Sequence, residues 1–469
     1  MHTVPTRHRF FVHIAARALL MAAALLCASG AAAASSGTAI PGLEKAMLSP
    51  AHWIARLDAA DAVLLDAAAI ETQNARMRSA DTSIHTPLAL PDQLDRSAVR
   101  AWIQNVSKRP TQPRFTAAGR IDDVTLDGWM DALALDTVPA AVAPRFGLVV
   151  RRADLRAFPT PTRVFSDPGD TDIDRFQEDA LFPGTPVAVL HASRDGDWLF
   201  VESERYRAWI RAAQIAIGTR EAVADFAARA ARGPIVTGAT ARSVYTPQAS
   251  AISDVQLEMG VRLPRVELDG MRALHGQVPA FGHVVELPVR APDGALSFSP
   301  ALIPAAADMA DDALPYTRAT LIRQAFKFLG ERYGWGHSYN ARDCSGFVSE
   351  VFRSVGILLP RNTGAQATSP ALDRIAMPPE MTYALRLQRL RETDVGDLVF
   401  IPGHVMMVIG HVDGEPWVIH DTAGMSTRGA DGEITRLQLN GVVVTPLTPM
   451  LTGDGESTIE RVTSIQRVR

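Results

Sequence analysis

The chain has 469 residues, 47% of them hydrophobic and 21% charged. That is a globular mixture, long enough for about three domains and unlike disordered or collagen-like chains. Its 47 Lys and Arg against 51 Asp and Glu leave a formal charge of −4, without the basic surplus of a dedicated nucleic-acid binder, and two cysteines exclude a disulfide framework or a cysteine-based zinc site.

Residues 1–34 read as a signal peptide. Arg7, His8, Arg9 and Arg17 precede the apolar run Ala18–Cys27, and the small residues Ala31–Ser36 follow. Cleavage after Ala34 predicts an exported protein, periplasmic or held in the cell envelope. Lipid attachment at Cys27 and an uncleaved N-terminal anchor are the alternatives. The mature chain carries no further apolar run long enough to span a membrane, and it keeps one cysteine, Cys344. A lone thiol cannot form an internal disulfide, so it needs another explanation.

Residues 35–143 predict a helical segment. Ser49-Pro50 is a helix start, and Trp53, Ile54, Leu57, Ala60, Leu64 and Leu65 recur at helical spacing. From 144 to 220 the texture changes to short strands, at Phe146–Val150, Pro186–His191, Trp198–Glu202 and Ala208–Ile210. Turn clusters separate them, which predicts a small β-barrel. A second β-rich stretch covers 234–305, with Gln256–Pro264, Gly282–Val289 and Leu296–Phe298 as its strand-like pieces. The Ala-rich stretches 219–233 and 306–316 read as linkers.

Residues 316–469 predict helices first and an antiparallel sheet after, an α+β pattern. The helices are Thr320–Leu329 and Ser345–Val355. The strands are Leu398–Ile401, Val405–Ile409, Trp417–Ile419 and Gly441–Val444, with Asp413-Gly414 as a hairpin turn.

Cys344 stands at the start of a predicted helix, in Asp343-Cys344-Ser345-Gly346-Phe347. Backbone N–H groups there favour a thiolate, which is a nucleophile. His404 opens one strand and His420 closes the next. The intervening hairpin turn lets the two imidazoles meet, so a nucleophile, a base and a base-orienting group come within reach. Metal binding by His404 and His420 alone would be a weak site, and no H-E-x-x-H pattern occurs.

Segment 320–425 resembles the NlpC-type cysteine peptidases of bacterial cell walls, a papain-like group. The resemblance rests on Tyr333-Gly334-Trp335-Gly336, Asp343-Cys344-Ser345-Gly346-Phe347-Val348, Leu359-Pro360-Arg361-Asn362-Thr363, Gly396-Asp397-Leu398-Val399-Phe400, His404-Val405 and Ile419-His420. It implies a papain-like catalytic domain preceded by a helical stabilising segment and two small SH3-like β-barrels. In the first barrel, Phe176-Gln177-Glu178, Pro183-Gly184 and Tyr206–Trp209 match the motifs of multidomain relatives.

The resemblance implies Cys344 as nucleophile, His404 as general base and His420 as orienting residue, with Tyr333 holding the oxyanion. It implies peptidoglycan stem peptides or muropeptides as partners, cut at the γ-D-glutamyl–diamino acid bond, with no metal or cofactor. Multidomain relatives demand a free N-terminal L-alanine. The positions matching that amine pocket are Glu178, Tyr206, Asp343, Ser345 and Asn362, and Trp335 matches a substrate-cleft position. Glu178 is expected in a turn of the first barrel. Asn362 is neutral where many relatives carry Asp, so Glu178 and Asp343 are expected to supply the negative charge. The alternative functions are a non-catalytic peptidoglycan-binding protein and an amidase or acyltransferase on the same fold.

Overall fold

A computed structural model describes residues 40–469, apart from 268, 269, 271 and 430. The expected signal peptide, with Cys27, lies outside the described residues. The fold is α+β.

The β-branched and aromatic runs become strands at Arg145–Val149, Pro186–Ala192, Trp198–Glu202 and Arg207–Arg211. Ala153–Arg156, Gln177–Leu181 and Ile215–Gly218 join them in a seven-stranded antiparallel sheet, in which Gln177–Leu181 is an end strand paired to Ala153–Arg156. Leu155 pairs with Asp179 and Arg156 with Gln177, so Glu178 is the extra residue of a β-bulge. That corrects the turn expected there: a polar residue beside Asp179 resembles turn chemistry, but the ladder continues through it and the bulge re-aims one side chain.

The 219–233 stretch is no linker. Thr219 caps a helix, Arg220–Ala230, by accepting a hydrogen bond from the Ala222 N–H. Val223, Phe226 and Ala230 bury one face of it in the barrel core. Residues 234–310 form three two-stranded ladders: Ile235–Val236 with Met309–Ala310, Thr240–Arg242 with Gln256–Glu258, and the long hairpin Gly282–Arg290 with Leu296–Pro304. Only Gln256–Glu258 of the predicted Gln256–Pro264 strand is regular; the rest is irregular.

The segment before the barrel divides its packing. Met47, Trp53, Met77 and Ile84 join the core around the Cys344 helix, whereas Val99, Ile103, Leu133, Val138 and Val142 join the barrel core. The helix expected across 53–65 stops at Ile54; Ala59 has φ +51°, and Val63–Leu65 is a strand paired to Tyr316–Thr317. A free ladder edge outweighs helical spacing of Ala and Leu there.

After residue 316, the helices Arg318–Phe326 and Cys344–Ser354 cover a six-stranded antiparallel sheet. Its order is Asp373–Ala376, Ser464–Arg467, Leu398–Ile401, His404–Val412, Glu415–Thr422, Gly441–Pro446. The Asp413-Gly414 turn has φ +51° and +79°, the primed geometry that a two-residue hairpin needs. The residues on either side pair, Val412 with Glu415.

Candidate active site

Asp343 ends an extended stretch, and its side chain accepts the Gly346 N–H at 2.8 Å, which caps the Cys344–Ser354 helix. The cap makes Cys344 the first helical residue. The helix packs its face of Phe347, Val348, Val351 and Phe352 on the sheet. A side chain at Gly346 would meet the His337 ring at 2.5 Å, so only glycine fits two residues beyond the nucleophile position.

The backbone of Val405, the residue after His404, favours the Cys344 thiolate against the effect of burial. Thr363 Oγ1 lies 3.6 Å from the same sulfur. His404 Nε2 is 2.8 Å from His420 Nδ1, and His420 Nε2 is 3.0 Å from Thr445 Oγ1. Both Nε2 positions can donate along this chain, His404 to His420 and His420 to Thr445. In that tautomer His404 Nδ1 is an unprotonated acceptor, free to take a proton. Thr445 was not among the sequence candidates; no local pattern singles out a threonine on the neighbouring strand.

The two histidines meet because of a second bulge. Met407 pairs with Ile419 and Val408 with Val418, but Gly410 pairs with Trp417, so Ile409 is an extra residue. A regular hairpin from the Asp413-Gly414 turn would put His404 and His420 on opposite faces of the sheet, because a one-residue shift reverses every side chain.

Burial opposes the thiolate that the helix start favours. Burial, followed by the Asp343 carboxylate, pushes Cys344 up to about 12. Burial also pulls His404 down to about 4 and lowers His420 well below the ordinary value. Each shift favours the neutral form, a thiol at Cys344 and an unprotonated imidazole at His404. Tyr333 is buried, and its hydroxyl is held protonated by burial and by the neighbouring Cys344 and Asp343.

Tyr333 stands between two clefts. One, of about 230 Å³, holds Cys344 with Glu178, Tyr206, Trp335, Asp343, Ser345 and Asn362 on its walls. All the sequence-predicted pocket residues are thus gathered beside the thiol. The other, of about 380 Å³, is lined by His404, Thr452, Asp454 and Arg461. The barrel reaches the first cleft by docking: the Trp335 indole N–H donates to the Gln177 carbonyl at 3.1 Å, and the Gln177 amide donates to the Gly336 carbonyl at 2.9 Å.

Within the first cleft the charges are not equivalent. Arg361 donates to both oxygens of Asp343, at 3.0 and 2.8 Å, and to Ser345 Oγ at 3.0 Å. The negative charge expected of Asp343 is therefore already compensated. Glu178 has no ion-pair partner among the described residues. It accepts from the Tyr206 hydroxyl, and burial raises its carboxyl above the usual range.

The network behind Arg361 was also missed. Its Nε donates to Asp179 on the barrel at 2.5 Å. His337 lies 2.9 Å from Asp179 and 3.1 Å from Glu350, and Glu350 accepts from Arg342 at 2.8 Å. Arg361 stood in the Leu359–Thr363 motif, but its partners are 18 and 182 residues away.

Residues 330–443 match the NlpC/P60 family, and residues 163–211 match an SH3 domain of the SH3b1 type. A probable endopeptidase p60 of Listeria welshimeri is 44% identical over 66 residues, 13% of each chain. Its counterpart in Listeria innocua is 50% identical over 50 residues, 10% of this chain and 11% of the relative. The chain thus matches only about an eighth of the length of these curated relatives. An NlpC/P60 endopeptidase structure from Photobacterium damselae subsp. piscicida superposes with a TM-score of 0.69 at 16% identity, over 88% of this chain and 96% of that one. At that identity the likeness is one of fold.

Proposed function

The chain carries an NlpC/P60 domain behind an SH3 domain of the SH3b1 type, and from that premise we propose that it is an exported cysteine endopeptidase of the bacterial cell wall. Its bond is the γ-D-glutamyl–diamino acid linkage of stem peptides that bear a free N-terminal L-alanine. The observation that carries this reading is the capped helix that presents Cys344 to the strand of His404, with His420 and Thr445 behind.

The chemistry follows from the neutral pair. The Cys344 proton passes to His404 Nδ1 as the sulfur attacks the carbonyl carbon, so charge separates only as the S–C bond forms. The Tyr333 hydroxyl and the Cys344 N–H hold the oxyanion. His404 returns the proton to the leaving amine, and the C–N bond breaks. His404 then takes a proton from water, whose oxygen attacks the thioester; the C–S bond breaks and His404 returns that proton to the departing Cys344 sulfur. Asp454 and Arg461 supply one charge of each sign to the cleft beside His404, where a diamino acid leaving group would lie.

Glu178 is the carboxylate left for the ammonium of L-alanine, with Tyr206 orienting it and Asn362 on the same wall of the cleft. A desolvated charged hydrogen bond of roughly 1.5–3 kcal/mol is worth about 10- to 150-fold in kcat/KM. The test is product analysis on L-Ala-γ-D-Glu-diaminopimelate with its amine free or acetylated. Wild type should release L-Ala-γ-D-Glu from the free peptide and cut the acetylated one poorly, and Cys344→Ala should release nothing. Glu178→Gln should lose about that factor on the free peptide alone. Cleavage at another bond overturns the bond assignment. Equal rates on both peptides would move the substrate from released fragments to intact wall.

A further inference from the structure

A cavity of about 650 Å³ lies away from both clefts, where four parts of the chain meet. Its walls come from the Pro87–Ala89 turn, the barrel segment 179–186, the Arg220–Ala230 helix and residues 260–262. Arg353 reaches it from the last turn of the Cys344 helix. Leu88, Phe182, Pro183, Ala230 and Val261 give it an apolar floor.

The charged groups on the walls are unbalanced: four arginines face two carboxylates. Arg78 is paired to Glu204 at 3.0 Å, and Arg262 to Asp312 at 2.6 Å. Asp179 is occupied by Arg361 and His337. That leaves Arg205 and Arg353. Neither has a hydrogen-bond or ion-pair partner among the described residues, and the Arg353 guanidinium only faces the Phe182 ring at 5.7 Å. Both are partly buried. Burial and then the charge of Arg353 lower Arg205 to about 9, although Asp179 and Glu204 oppose the shift. A guanidinium drawn from water without an acceptor is costly, and a planar oxyanion is the group that satisfies its fork of donors.

We propose that this cavity binds an amphipathic organic anion, its carboxylate or phosphate head held between Arg205 and Arg353 and its compact apolar body resting on Phe182, Leu88 and Val261. None of the proposed reacting groups lines the cavity, so the site is separate from the hydrolytic one. Its occupant contacts the helical segment, the barrel and the Arg353 turn together, and binding therefore stabilises their docking.

The test uses the full chain with two probes, decanoate and inorganic phosphate, by calorimetry and thermal unfolding. Decanoate should bind saturably, raise the melting temperature and weaken at high salt. Phosphate should bind more weakly at the same place. Arg205→Gln and Arg353→Gln should each lower decanoate affinity about tenfold, and the double variant should abolish it. Because neither side chain makes a polar contact, the double variant without ligand should melt no lower than wild type. Cys344→Ala should bind decanoate as wild type does, which separates this site from the hydrolytic cleft. Undiminished decanoate binding by the double variant, or no saturable binding by wild type, overturns the proposal. Phosphate binding without decanoate binding overturns its apolar half.

Discussion

Burial pushes the Cys344 thiol up to about 12 and pulls the His404 imidazole down to about 4, and a pH dependence follows from each. Each shift favours the neutral form. The base is lost only as pH falls through about 4, and free thiolate gains only as pH rises toward about 12. Iodoacetamide should therefore modify Cys344 at a rate that keeps climbing above pH 9, without a plateau near neutrality. Hydrolysis should hold its rate well below pH 6.5 before the acidic fall. A neutral-pH alkylation plateau would show that the helix N-terminus outweighs burial and Asp343.

The hydrogen-bond chain behind His404 makes a second residue-scale prediction. If His420 fixes the tautomer, His420→Asn keeps a hydrogen-bonding partner and should retain more activity than His420→Ala, with His404→Ala worst of all. Thr445→Val removes the acceptor at the end of the chain and should lower kcat several-fold while KM stays put. An Asn variant as inactive as His404→Ala would give His420 some other role.

At the scale of elements, two bulges do what regular strands cannot. The one at Ile409 brings His404 and His420 to the same face, and Gly410 beside it has φ +148° and lies under Trp53. A side chain at Gly410 would be strained in that conformation and would stand 3.2 Å from the Trp53 ring. Gly410→Ala should cost about 1–3 kcal/mol in urea unfolding and lower activity through the histidine pair. Unchanged stability together with unchanged activity would mean that the bulge does not depend on glycine. The Arg220–Ala230 helix teaches the complementary point. Its cap Thr219 and its stripe of Val223, Phe226 and Ala230 were present in the sequence, but the alanines between them gave a linker texture. Burial of three side chains was enough.

Over the whole molecule, the barrel is tied to the Cys344 helix by buried charge. Asp179 belongs to the barrel, Arg361 to the loop after the helix, and Asp343 caps the helix. Replacing Asp179 with Ala leaves a buried guanidinium short of one carboxylate, which should cost about 3–5 kcal/mol. It should also loosen the strand that holds Glu178. The expected signature is a lowered melting temperature together with a reduced preference for the free-amine peptide. Loss of stability with the preference intact would separate the network from amine recognition.

The sequence by itself determined the chemistry-bearing residues. Cys344 at a capped helix start, His404 at a strand start and the Asp413-Gly414 turn are all local patterns, set by caps, periodicity and turn residues that act over a few positions. Strand existence in the barrel and in the sheet was legible for the same reason. What only the tertiary structure decided depends on partners far apart in sequence. Ladder pairing turned Val63–Leu65 from helix to strand and made Glu178 a bulge rather than a turn. Packing split the N-terminal segment between two cores. Long-range ion pairing took the charge of Asp343 for Arg361 and left Glu178 without a partner, while burial raised the Cys344 thiol against its helix. Desolvation and pairing are properties of where side chains meet, and a linear spacing does not contain them.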